Sequence, residues 1–150
     1  MPHSYVSNLM HCVFSTKKRL PLITPELEAH LWPYIGGIAR ENRMKAIAIG
    51  GTADHLHALL SLPATISFAK AVQLIKGGSS KWIRDTFDEH RKFAWQEGYG
   101  AFSVSSSQAN KTIAYIQRQK EHHRKRSFRD EFIDLLDKHG IEYDRRYVCR

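Results

Sequence analysis

The sequence predicts one α+β domain. Three patterns carry this: short runs that alternate like strands, longer runs with apolar residues at helical spacing, and a short Gly-rich link between two neighbouring strand runs. The 150 residues are 42% apolar, enough for one hydrophobic core, and contain no internal repeat, so residues 1–150 read as a single domain.

Tyr5 to Phe14 is rich in β-branched and aromatic residues and reads as a first strand ending in the basic turn Ser15 to Arg19. Thr24 as N-cap, Pro25 at the first helical position and Glu26 open a helix to about Asn42, with Leu27, Leu31, Ile35 and Ile38 as its buried stripe. Lys45 to Ile49 and His55 to Ser61 are strands, with Gly50 and Gly51 marking the turn of an antiparallel hairpin. A second helix starts at Thr65 or Ser67 and runs to Phe87. Gly77 and Gly78 either kink it or serve a helix–helix contact.

Phe93 to Ser105 reads as strand, Gly-bearing turn and strand, with aromatics filling the core. After Ser105 to Ser107 a helix over Ala109 to Arg126 is predicted, and a last one from Phe128 to His139, packed through Phe132, Leu135 and Leu136 and stopped by Gly140.

The formal charge is +8 and the pI about 9.7, which favours a polyanionic partner, nucleic acid first. Much of the charge lies in Lys17, Lys18 and Arg19, in His122, His123, Arg124, Lys125 and Arg126, and in Arg145 and Arg146. Lys76 and Lys81 flank small residues that would let a phosphate backbone approach. No apolar run reaches membrane-span length and Met1 to Val6 is unlike a secretory signal, so a cytoplasmic protein without membrane attachment is expected. Cys12 and Cys149 are too few and too far apart for a Cys-based zinc site, and a disulfide between them is unpromising in a reducing compartment.

Within His55-Leu-His57 the two-residue strand period puts both imidazoles on one face and Leu56 on the other, so the pair could hold one divalent cation on a rigid sheet. Two half-buried histidines bonded to carbonyls would give the same pattern. On the 109–126 helix, Tyr115, Gln119, His122 and Arg126 share one polar stripe. Tyr115 can attack a phosphodiester through its hydroxyl, conserving bond energy in a covalent adduct. A cation on His55, His57 and the Gln119 carbonyl would steady the developing charge. Imidazole favours manganese, and magnesium is abundant, so Mg²⁺ or Mn²⁺ is expected.

Asp54-His-Leu-His57 followed by Tyr115-Ile-Gln-Arg-Gln119 resembles the histidine-hydrophobic-histidine (HUH) single-tyrosine transposases of small bacterial insertion sequences, of the insertion sequence 200/605 type. Val13 to Lys17, Ile75 to Lys81, Gly98 to Ser105 and His122 to Phe128 extend the resemblance over nearly the whole chain. It implies a ferredoxin-like antiparallel β-sheet packed with α-helices, the tyrosine lying on a C-terminal helix. It also implies a homodimer, with Tyr115 able to complete the partner's site. The implied activity is metal-dependent cleavage and rejoining of single-stranded DNA through a 5′-phosphotyrosine, with recognition of subterminal hairpins.

Other function classes have distinct signatures. A two-histidine phosphoesterase needs two His-x-Ser or His-x-Thr motifs, and the sequence contains none. A non-catalytic single-strand-binding module would bind without metal and without Tyr115. A domesticated nickase and ligase would share every motif.

Overall fold

The computed structural model describes residues 4–148, so Cys149 lies outside the described residues. Four strands, β1 (Leu9–Ser15), β2 (Lys45–Gly51), β3 (His55–Ser61) and β4 (Gly100–Val104), form one antiparallel sheet in the order β2-β3-β1-β4. With α1 (Pro25–Glu41) between β1 and β2, and α2 (Phe68–Thr86) between β3 and β4, this is the ferredoxin-like α+β arrangement.

Strand alternation divides the core. Met10, Cys12 and Phe14 of β1 and Leu56, Ala58 and Leu60 of β3 point to one face, where they pack with Leu27, Leu31 and Ile35 of α1 and Val72, Ile75 and Ile83 of α2. The opposite face carries His11, Val13, His55, His57, Leu59 and Phe102. Over it lie α3 (Ala109–Gln117), the single turn α4 (Gln119–His122) and α5 (Phe128–Lys138). The sheet is thus a middle layer, and the histidines sit between it and the C-terminal helices.

The helix caps behave as the sequence predicts: Thr24 Oγ1 accepts from the backbone of Leu27, Ser67 Oγ from Lys70, and Gly140 ends α5 with φ 66°. Three expectations need correction and one open alternative is decided. Gly50 and Gly51 belong to β2, and the turn falls at Thr52 to Asp54. A Cβ on Gly50 would lie 2.3 Å from the Ile116 carbonyl, so glycine here lets α3 seat directly on the sheet.

α2 is continuous through Gly77 and Gly78. A Cβ on Gly78 would lie 3.0 Å from Ile38 Cδ1, so Gly78 marks a helix–helix contact, and neither glycine breaks the helix. Phe93 to Ser105 supplies only one strand, β4. Trp95 instead makes a lone bridge to Thr16 while filling the core against Phe14 and Phe93. Finally, the 109–126 helix is interrupted at Arg118 (φ −102°, ψ 18°), where the chain turns around the site.

Candidate metal and nucleophile site

The site is assembled by register. In the β1–β3 ladder Ser15 faces His55, Val13 faces His57 and His11 faces Leu59, so His11 and His57 are diagonal neighbours on the same face. His55 and His57 are both fully buried. Arg118 breaks the helix within a turn of Tyr115, and Gln119 folds beneath it with its Oε1 3.0 Å from His55 Nε2. Gln119 Nε2 donates to the Tyr115 carbonyl at 3.4 Å, which fixes which end of the amide faces the histidine.

Each histidine has a partner behind it. His55 Nδ1 lies 2.7 Å from Asp54 Oδ1 and 2.9 Å from Thr52 Oγ1, and Thr52 in turn donates to Asp54. The tautomer that gives Nδ1–H to the carboxylate turns a lone pair at Nε2 of His55 towards the Gln119 oxygen, and Glu131 Oε1 lies 3.6 Å away. In that tautomer three electron-pair donors converge, an arrangement that a cation would satisfy. His57 Nδ1 lies 2.8 Å from His11 Nε2.

Glu131, on α5, is the centre that sequence reasoning missed. Its Oε1 accepts from His57 Nε2 and from His123 Nε2, each at 3.0 Å, and its Oε2 accepts from the hydroxyl of Tyr115. His122 Nε2, buried and without a hydrogen-bond partner, lies 3.7 Å from the same oxygen. The side chain of Glu131 is only 2% exposed. A signal was available, since Glu131 follows Phe128 by three residues and precedes Leu135 by four, which places a carboxylate on the buried stripe of α5. His11 was missed too, although it shares strand parity with Val13 on the histidine face.

The charges follow from burial and contact. Burial favours neutral His57 and lowers its pKa despite Glu131, and burial together with His57 holds His11 at about 3. Burial alone would raise Glu131. Hydrogen bonds from His123, His57 and Tyr115 outweigh it and keep the carboxyl well below its usual range. Burial and the adjacent carboxylate push the Tyr115 phenol above its ordinary value of 10. For His123, burial is outweighed by Glu131 and the pKa rises.

His55, His57, His123 and Glu131 offer donor atoms all within 4.8 Å of one another, so this set fits a divalent cation, with Gln119 beside it. Tyr115 reaches the histidines of its own chain, its ring centroid 5.6 Å from that of His57. A cavity of about 590 Å³ opens beside Tyr115 between β4, α3 and α5, with Lys111, Arg126 and Lys138 among its lining.

The basic residues divide. Lys17, Lys18 and Arg19 are exposed in a turn where Lys18 and Arg19 both adopt left-handed backbone (φ 57° and 55°), held to the Asp54 turn by Thr16 N–H at 2.8 Å from the Asp54 carbonyl. Arg124 and Lys125 are exposed, while Arg126 pairs with Asp134. Lys81 pairs with Asp85 at 2.6 Å. Lys76 is spent inside the fold, its ammonium on the carbonyls of Gln96, Glu97 and Gly98. His123 joins the metal-capable cluster in place of the backbone-contact surface expected for it.

A ferredoxin-like sheet carrying two strand histidines against a helical tyrosine defines a domain able to bring a cation and a nucleophile together. The chain belongs to the family described as IS200-like transposases, whose model matches residues 4–119. Among solved structures, a Deinococcus radiodurans R1 protein described as a transposase is similar over 79% of this chain and 96% of its own, with 22% identity and a TM-score of 0.65. A REP-associated tyrosine transposase bound to a REP hairpin is similar over 77% of this chain and 68% of its own, with 14% identity and a TM-score of 0.57. At these identities the two structures establish the shared fold. No curated protein matches. Among the described residues no helix is long and apolar enough to cross a membrane.

Proposed function

We propose that this transposase-family chain cleaves and rejoins single-stranded DNA through a covalent 5′-phosphotyrosine on Tyr115. The observation that carries the reading is the meeting of the Tyr115 hydroxyl with Glu131, the carboxylate that also receives His57 and His123. A nucleophile, a carboxylate and a cation-binding set share one buried point.

The phenol is a weak nucleophile here, since burial and Glu131 raise its pKa. Glu131 Oε2 accepts the phenolic hydrogen bond and orients the hydroxyl, and because its own pKa is depressed the proton passes on to solvent as the tyrosyl oxygen bonds to phosphorus. The phosphorus–O3′ bond breaks, and the departing 3′ oxygen takes a proton from solvent. In rejoining, a free 3′-hydroxyl attacks the phosphotyrosine and gives its proton to solvent, the phosphorus–tyrosyl oxygen bond breaks, and the phenolate takes a proton from solvent and returns to its hydrogen bond with Glu131. His55, His57, Glu131 and His123, with Gln119, would hold Mn²⁺ or Mg²⁺, which when bound supplies charge stabilisation at the phosphate. The imidazole-rich set favours manganese over magnesium.

Lys17, Lys18, Arg19, Arg124 and Lys125 are assigned to the DNA backbone on charge and exposure, and Lys81, His122 and Arg126 are secondary candidates, Lys81 and Arg126 being paired with Asp85 and Asp134 and His122 facing Glu131. The hairpin in the REP-associated neighbour supports hairpin-ended DNA as the substrate class. We assign a single-domain, cytoplasmic protein that assembles as a homodimer with each tyrosine resting in its own subunit's site.

The test uses labelled single-stranded DNA from the flanks of the gene with Mn²⁺ or Mg²⁺. The wild type is expected to form a covalent protein–DNA adduct only with metal, and Tyr115→Phe none. Cleavage without an adduct would replace this reading with a water-using nuclease.

A further inference from the structure

We propose that His11 is a positioning residue for the metal ligand His57, exchanging a hydrogen-bond proton with it so that His57 Nε2 can be freed for a cation. The inference rests on the metal-dependent reading above and concerns a side chain outside the ligand set.

The geometry is that of an in-plane hydrogen bond. His11 Nε2 and His57 Nδ1 lie 2.8 Å apart, the ring planes are 29° apart, and the centroids are separated by 5.0 Å. Ring nitrogen hydrogens and lone pairs lie in the ring plane, so near-coplanar rings joined nitrogen to nitrogen share one proton between them. Register enforces the approach, because His11 sits diagonally across the β1–β3 ladder from His57 on the same sheet face.

The two metal-capable strand histidines are therefore supported differently. Behind His55 stands the carboxylate of Asp54, an acceptor, which holds the hydrogen on Nδ1 and the lone pair on Nε2. Behind His57 stands an imidazole that can donate or accept. With Glu131 Oε1 accepting at 3.0 Å, Nε2 of His57 carries the hydrogen and Nδ1 receives one from His11 Nε2. Cation binding at Nε2 requires the reverse: Nδ1 of His57 takes the shared proton, and His11 becomes the acceptor. His57 gives up its Nε2 hydrogen to solvent, and His11, which lines the cavity beside Tyr115, takes one from solvent at Nδ1. The pair holds two ring protons before and after, so no buried charge is created. A carboxylate in place of His11 could serve only the second arrangement, and an apolar ring neither.

The experiment compares wild type, His11→Phe and His11→Gln by calorimetric titration with Mn²⁺, with thermal unfolding of each protein as the folding control. Phe keeps the ring volume without hydrogen-bonding capacity, whereas Gln restores a group that can donate or accept. His11→Phe is expected to weaken Mn²⁺ affinity about tenfold or more, and His11→Gln to recover most of it. Equal affinity in folded His11→Phe, or no Mn²⁺ binding by the wild type, would overturn the inference.

Should His11→Phe not fold, ring-nitrogen NMR of the wild type loaded with Zn²⁺ decides. A hydrogen on His57 Nδ1 together with one on His11 Nδ1 supports the exchange, and a hydrogen retained on His11 Nε2 contradicts it. Wild-type protein that binds Mn²⁺ but forms no DNA adduct would defeat the strand-transfer reading while leaving His11 in its role. Normal adduct formation with undiminished Mn²⁺ binding in His11→Phe would do the opposite.

Discussion

Glu131 holds Tyr115: its Oε2 accepts the phenolic hydrogen, while Oε1 receives two imidazoles. One carboxylate of α5 thereby ties the tyrosine of α3 to the histidine strand β3, and the C-terminal helix becomes part of the site.

Replacing Glu131 by Gln keeps the volume but removes the charge and half of the acceptor capacity. Mn²⁺ affinity measured by titration should fall at least about tenfold. Unfolding free energy should drop by about 2 kcal/mol, as expected for losing charge-assisted buried hydrogen bonds. A variant with wild-type metal affinity would remove Glu131 from the donor set.

Gly50→Ala tests how the nucleophile helix is seated. The new Cβ would meet the Ile116 carbonyl at 2.3 Å, and Ile116 directly follows Tyr115, so α3 must shift. A loss of about 2 kcal/mol in chemical denaturation is expected, with adduct formation falling at least tenfold. Gly77→Ala is the control. Its Cβ would meet nothing within 4 Å on the exposed side of α2, so it should stabilise the protein by up to about 1 kcal/mol. Equal behaviour of the two variants would contradict the packing account.

Acid should destabilise the metal-free protein. His57 and His11 have folded pKa values below the ordinary 6.5, so below that pH the unfolded chain binds more protons and stability falls. Glu131 and Asp54 lie below their ordinary 4.5 and 3.8, so their contribution is present above those values and is lost as pH falls through the depressed ones. His123, shifted upward, runs the other way: its contribution is complete below 6.5 and is lost as pH rises through its folded value. The two depressed histidines outnumber it. Urea unfolding at pH 7 and pH 5 should give the lower free energy at pH 5. A flat or rising profile would mean the histidines are not held neutral.

Much of this site was legible in the sequence because its parts are local. The two-residue strand period sets His55 beside His57, and one helical turn sets Gln119 beneath Tyr115 even though Arg118 breaks the helix. Glu131 was hidden among Asp130, Asp134 and Asp137, and its partner His57 is 74 residues away, so only its place on the buried stripe distinguishes it. Lys76 misled because composition reports charge and not commitment: its ammonium is held by three carbonyls of the loop before β4. Gly50 misled for a related reason. A glycine needed for close approach has the same letter as one needed for a turn.

Salt dependence separates the backbone-binding cations from the chemistry. Changing Lys18, Arg19, Arg124 and Lys125 to Gln should weaken single-stranded DNA binding for all sequences alike. The slope of log affinity against log salt should shrink by about 0.7 for each phosphate that is no longer neutralised. Mn²⁺ affinity should be untouched. Weakened metal binding in these variants, or an unchanged salt slope, would contradict the assignment.

The most direct measurement is mass spectrometry of the protease-digested protein after incubation with Mn²⁺ and a cleavable single strand. A phosphodiester-linked nucleotide on the peptide containing Tyr115, dependent on metal and absent in Glu131→Gln, is the predicted result. Cleaved DNA with an unmodified Tyr115 peptide, or an adduct on another residue, would contradict the account.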